Sequence, residues 1–79
     1  MRIDKYLKLA RIIKRRTVAN EACDSQHVVV NGKVVKASYD VKIGDVIEIT
    51  FGQKTVKLRV TDVKEVVGKN QAGDLYEII

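Results

Sequence analysis

The apolar pattern of this chain changes period once, at His27, and that change sets the order in which helix and sheet occur. Upstream, Ile3, Leu7 and Ala10, with Leu9 and Ile13 beside them, recur at three- and four-residue steps. Lys5, Lys8, Arg11 and Arg15 fill the other arc, so one helical face meets a core and the other meets water. Downstream come short β-branched runs that alternate apolar and polar, the period of a strand with one covered face. Neither proline nor glycine precedes Gly32, so nothing interrupts the helical half.

The spacing predicts a first helix from about Asp4, a good N-cap residue, to about Ile13. Thr17 then caps a second short helix running to about Ser25, with Val18, Ala19, Ala22 and Cys23 turned inward. From Val28 to Val35 two apolar runs flank Asn31-Gly32, whose residues both accept the positive φ of a type I′ turn, so a β-hairpin is expected. Gly44-Asp45 marks another turn. Ile47, Ile49 and Phe51 then alternate against Val46, Glu48 and Thr50, and Gly52-Gln53 reverses the chain into Val56, Leu58 and Val60. Residues Asp62 to Val67 either extend that strand or bend away, Gly68 to Gly73 read as a loop, and Leu75 to Ile79 as a last strand. The expected fold class is α+β: two N-terminal helices packed on a small, mostly antiparallel β-sheet.

At 79 residues the chain has room for one domain with one small core. A single cysteine, Cys23, closes no internal disulfide, and with one histidine it falls short of a zinc site, so no metal and no cofactor are expected. The start carries no continuous apolar stretch of a signal peptide, and no run nears the roughly 20 apolar residues that span a bilayer. A cytoplasmic protein with no membrane partner, a monomer, is the expectation. The apolar share of 46% belongs to a folded chain rather than a disordered basic tail.

Charge is distributed unevenly. Residues 1–36 hold nine cations against three carboxylates, whereas residues 37–79 hold six cations against seven, so the whole net charge of +5 lies in the first half. Seven cations, Arg2, Lys5, Lys8, Arg11, Lys14, Arg15 and Arg16, fall in the first 16 residues with Asp4 as the one carboxylate. Like charges so close repel, and a solvated helix face kept for solubility mixes both signs; this one does not. The pattern fits a polyanion, nucleic acid before an anionic membrane surface. Arginine suits phosphate through its bidentate fork, and the N–H groups opening the second helix add an anion site beside Arg16 and Thr17.

The remaining chemistry-bearing residues point elsewhere. Lys33 and Lys36 extend the basic surface if the hairpin packs beside the helices, and otherwise guard a strand edge. Tyr6 and Tyr39 are weighed as stacking platforms for unpaired bases, with Tyr6 closer to the rim of the core. Cys23 reads as a small core residue and His27 as a structural residue leading into a strand, while Asp4 is explained by capping and by orienting a neighbouring arginine. The glycines are dispersed and form no phosphate-cradling loop. No catalytic constellation remains, so the chain is read as not an enzyme.

The ordered elements Arg-x-Asp-Lys-Tyr-Leu at the start, the basic turn ending Arg16-Thr17, Val30-Asn31-Gly32-Lys33, Val35-Lys36 and Gly44-Asp45 resemble the S-four, or alpha-L, RNA-binding module over residues 1–51. Residues 52–79 then form a C-terminal strand extension. Phe51-Gly52-Gln53-Lys54 and the ending Leu75-Tyr76-Glu77-Ile78 are similar to the short stand-alone proteins of the heat-shock-protein-fifteen type, and among these to the ribosome-associated quality-control factor P group. The resemblance implies RNA contacts from Arg2, Lys5, Arg11, Lys14, Arg15, Arg16, Thr17, Asn31, Lys33 and Lys36. It implies as partners large-subunit rRNA and peptidyl-site tRNA on a stalled large ribosomal subunit, together with a tail-adding quality-control protein. The module usually has glycine where this chain has Gln26, which suggests that the second helix ends differently here. Alternatives are an RNA-targeting domain related to pseudouridine synthases, a general rRNA-binding or ribosome-recycling protein, and a DNA-binding helix-turn-helix. The last is disfavoured because residues 18–25 carry few base-reading side chains.

Overall fold

Both helices stop where a residue other than glycine takes a left-handed backbone, and these two stops set the shape of the basic end. A computed structural model describes residues 1–64 and 72–79. Helix α1 spans Ile3–Leu9 and helix α2 spans Arg16–Asp24. At the end of α1, Arg11 has φ of +59°; its N–H donates to the Lys8 carbonyl and that of Ile12 to the Leu7 carbonyl. At the end of α2, Gln26 has φ of +64°; its N–H donates to Cys23 and that of His27 to Ala22. Each pair of nested bonds is a Schellman closure, normally built on glycine. Helix α1 is therefore shorter than its apolar spacing predicts. Ile13 still reaches the core, but a turn and not a helix carries it there. Gln26 accepts the conformation a glycine would take, so α2 ends in the usual left-handed way after all.

The helix starts also differ from expectation. Arg2 and Arg15 occupy the N-cap positions, neither with a side-chain cap. Asp4 sits within the first turn of α1 and accepts the Lys5 N–H at 2.7 Å, and Thr17 lies one residue inside α2. Tertiary pairing replaces the cap: Ile3 N–H donates to the Tyr39 carbonyl and Val41 N–H to that of Met1, pinning the start of α1 to residues 39–41. Of the residues predicted inward on α2, Ala19 and Cys23 are buried, Ala22 is half-buried, and Val18 faces out.

Five strands follow: β1 Val28–Val30, β2 Lys33–Val34, β3 Val46–Phe51, β4 Lys54–Val60 and β5 Tyr76–Ile78. They form one sheet in the order β2-β1-β3-β4-β5, with every neighbouring pair antiparallel. Asn31 and Gly32 both have positive φ, as a I′ reversal requires. The register sets Val28 against Ile49, Val30 against Ile47, and Ile47 against Leu58, so the apolar sets of three strands share one face. That face packs on Ile3, Tyr6, Leu7, Ala10, Ala19 and Cys23. Phe51, predicted with the inward set, lies at the hairpin end and is exposed.

Residues 61–64 form no strand, and the expectations for Glu65 to Gln71 lie outside the described residues. Ala72–Leu75 form a short 3-10 turn leading into β5. Leu75 is fully buried, and its carbonyl accepts the Tyr6 hydroxyl together with the N–H groups of Thr61 and Asp62. Helix α1 and the last strand are thereby fastened to each other.

Candidate nucleic-acid interface

The side chain that organises the basic end is an acid. Asp4 is buried, and each of its oxygens takes two donors: Oδ1 accepts from the Lys5 N–H and from Arg16 Nη2 at 3.4 Å, and Oδ2 from Arg2 Nη2 at 3.3 Å and Asn20 Nδ2 at 3.4 Å. Burial pushes its carboxyl group upward, but the hydrogen bonds from Asn20, Lys5 N–H and Arg16, with the charge of Arg16, outweigh it and hold Asp4 below the usual carboxylate range. Two guanidiniums share the Asp4 charge, and Glu21 adds a second carboxylate to the same place, so the two signs balance there. Arg2, Asp4, Arg16, Thr17, Asn20 and Glu21 line an open depression of about 470 Å³ there.

A second depression, about 520 Å³, lies at the other end of α1 and is lined by Lys8, Leu9, Arg11 and Lys14. Because α1 ends at Leu9, Arg11 does not continue its helical face as the spacing suggests. The left-handed turn at Arg11 folds the chain so that Arg11 and Lys14 come beside Lys8 instead. The seven-residue α1, only about 10 Å long, runs from one depression to the other. Arg15 is exposed immediately before α2, and Lys5 is half-buried on α1. With no side-chain cap on α2, its opening N–H groups remain an electropositive feature next to Arg16 and Thr17.

The hairpin residues are placed differently. Lys33 is exposed on edge strand β2. Lys36 borders a further depression with Cys23, Asp24, Gln26, Val34 and Val35, near the end of α2. The Asn31 amide braces the fold: its Nδ2 donates to Asp45 Oδ1 at 3.1 Å and its Oδ1 accepts the Val46 N–H at 3.0 Å. Asp45 also accepts the Tyr39 hydroxyl and the Lys42 N–H, so the two turns and Tyr39 are knotted together. Tyr6 is fully enclosed, which removes it as a stacking platform and corrects its reading as a rim residue. Cys23 is buried and free, with its thiol pushed up to about 11 by burial and by the nearby charges of Asp4 and Asp24.

With this geometry in view, the S4 domain family model matches residues 1–47. The chain belongs to the S4 domain family. Its relatives include proteins named RQC P-site tRNA stabilizing factor. The one from Halalkalibacterium halodurans is 53% identical over 78 residues, covering 99% of this chain and 89% of that protein. The one from Streptococcus pneumoniae is 49% identical over 79 residues, covering 100% and 90%. Among solved structures, the trimeric heat shock protein 15 of Vibrio cholerae superposes with a TM-score of 0.91 at 29% identity, covering 100% of this chain and 81% of that one. The resemblance read from the opening motifs and the Phe51-to-Lys54 segment is thus borne out, as is the α+β fold.

The S4 domain match takes in both helices, the β1–β2 hairpin and the start of β3, and so every residue singled out from the sequence for RNA contact. Of these, Arg2, Arg16 and Thr17 meet at one depression, and Arg11 and Lys14 at the other. Lys8 and Asn20 bring further donors to these places, and Glu21 a carboxylate beside Asp4. Lys8 is visible in the cation spacing of α1 but is not among the ten. Asn20 carries a weaker signal, lying one helical turn after Arg16.

Proposed function

We propose that this chain is a non-enzymatic RNA-binding factor of ribosome-associated quality control. It binds large-subunit rRNA and the peptidyl-site tRNA of a stalled large subunit in the cytoplasm, where a partner protein extends the nascent chain. The observation that carries this reading is the gathering of Arg2 and Arg16 in one depression and of Lys8, Arg11 and Lys14 in another at the other end of α1, the second without a carboxylate and the first with Asp4 and Glu21. Near-complete coverage of relatives named for peptidyl-site tRNA stabilisation supports the choice of target. Arg2, Lys5, Arg11, Lys14, Arg15, Arg16 and Thr17 supply the main contacts, with Lys33, Lys36 and the turn at Asn31 at the margin.

Such a surface neutralises phosphates and fits the shape of folded RNA more than it reads base edges. If about four to six phosphates are engaged, log K falls with log salt at a slope of roughly −3 to −5. The decisive experiment is sedimentation of Arg16→Glu with large subunits in cell lysate. Loss of co-sedimentation by a folded variant supports the reading, and wild-type association defeats it.

A further inference from the structure

A carboxylate in the middle of a phosphate-binding surface opposes binding by simple charge, because it repels the ligand at short range. Asp4 is nonetheless there, and it is 2% exposed in a class of residue almost never buried unless paired. What it pairs with is informative. Arg2 comes from the extended residue before α1, and Arg16 opens α2, fourteen positions later. Asp4 is the group that both guanidiniums touch.

Each guanidinium carries five N–H donors. The contact with Asp4 engages Nη2 of each, at 3.3 Å for Arg2 and 3.4 Å for Arg16, and is single-pronged in both cases. Both side chains stay about half exposed, at 51% and 45%. Each is thus tethered to Asp4 through one nitrogen while about half of the side chain stays open to solvent. A long arginine side chain otherwise loses considerable rotamer freedom when it grips a phosphate, and a tether that orders it beforehand removes that cost from binding.

We propose that Asp4 is a positioning residue: through its two oxygens it fixes Arg2 and Arg16 on the rim of one depression, so that the pair is pre-set to hold a single backbone phosphodiester of the bound RNA. The inference rests on the RNA-binding reading given above. Asn20 and the Lys5 N–H complete the carboxylate's coordination and keep it from turning away. The depression of about 470 Å³ bordered by these side chains has ample room for a phosphodiester group, and Glu21 on its border makes fixed placement of the two guanidiniums matter more.

The test exploits a conflict of sign. Asp4→Asn raises the net charge by one, so charge alone predicts tighter binding to purified large ribosomal subunits. Positioning predicts weaker binding by about tenfold, the scale of ordering two long side chains. In an Arg2→Ala/Arg16→Ala background the same Asp4→Asn change should shift affinity by no more than about twofold, because the groups it acts through are gone. Binding of Asp4→Asn at wild-type strength or tighter overturns the positioning role, as does an equal loss in the double-alanine background. If the double-alanine protein itself binds subunits like the wild type, the RNA reading of this site falls, and the inference with it. A measurement on the unaltered protein guards against misfolding of the variant: guanidinium NMR signals of Arg2 and Arg16 should show slower side-chain motion than those of exposed Arg15. Equal mobility of all three overturns the proposal.

Discussion

Arg11 and Gln26 hold the same place at the ends of the two helices, each in a left-handed conformation that closes the last turn by the same pair of nested bonds. Side chains with a Cβ pay roughly 1–2 kcal/mol for that backbone, whereas glycine does not. Gln26→Gly should therefore stabilise the fold by about 1 kcal/mol, read as a higher urea midpoint, and leave subunit binding unchanged. Arg11→Gly should give a similar gain in stability but weaken binding, because it removes a cation from the depression shared with Lys8 and Lys14. Opposite movement of stability and affinity at Arg11, and movement of stability alone at Gln26, separates the two roles. A loss of stability in either variant would refute the account of the helix ends.

The bond between the Tyr6 hydroxyl and the Leu75 carbonyl joins residues 69 positions apart inside the core. Burial keeps that hydroxyl protonated well above the ordinary tyrosine range, with the charges of Tyr76 and Asp62 adding to the effect. Tyr6→Phe keeps the ring and deletes the donor. The Leu75 carbonyl still accepts from Thr61 and Asp62, so the acceptor is not stranded, and the expected cost is only about 1 kcal/mol. Hydrogen exchange should localise the change: amides of β5 should exchange faster while those of β1 and β3 keep their protection. Uniform acceleration across the sheet would show that the bond does not fasten the last strand.

These two relationships also show what can and cannot be read from the chain. The reversals at Asn31-Gly32 and Gly52-Gln53 are legible because the residues that permit positive φ stand at the turn itself. The alternation of Ile47 and Ile49, and of Leu58 and Val60, tells which face is covered because the period is local. The end of α2 is legible to within a residue, at Ser25, and the glycine usual at position 26 marks the cap, but the end of α1 is not, since its left-handed residue is an arginine, which carries no such signal. The enclosure of Tyr6 escapes local spacing because its partner lies at the far end of the chain. The site is half legible: cation spacing shows where positive charge gathers, and Asp4 can be seen to orient one neighbour. That it joins Arg2 to Arg16 depends on how α2 packs against α1, which no local spacing records.

Asn31 should separate structure from contact at the hairpin. Its amide binds both Asp45 and the Val46 N–H, while Lys33 two positions on is exposed. Asn31→Ala removes both bonds and places a residue with a Cβ at φ of +52° without the side-chain bonds that favour asparagine there. A loss of about 2–3 kcal/mol is expected. Lys33→Ala should leave stability within about 0.5 kcal/mol and reduce the salt slope of subunit binding by about 1. Chemical denaturation and salt titration of the two variants provide the comparison. A stable Asn31→Ala protein would show that the turn does not depend on the amide.

Acid should weaken the fold through Asp4 in a predictable direction. An unfolded aspartate titrates near about 3.9, and in the folded protein Asp4 lies lower. Burial works against that, but the hydrogen bonds from Asn20, the Lys5 N–H and Arg16 prevail. The folded state thus binds fewer protons than the unfolded state between the two values. The stabilisation from ionised Asp4 is fully present above the unfolded value and disappears as pH falls through the folded one. Asp40, whose carboxyl is held down by its hydrogen bond and charge pairing with the Met1 amino group, contributes with the same sign. Wild type and Asp4→Asn share that second contribution, so their difference isolates Asp4. At neutral pH the wild type should be more stable by about 1–3 kcal/mol, and the gap should close as pH drops below about 4. Urea unfolding of both proteins from about pH 7 down through the carboxylate range measures it; a gap that stays constant throughout would mean that the charge on Asp4 does not hold the two arginines.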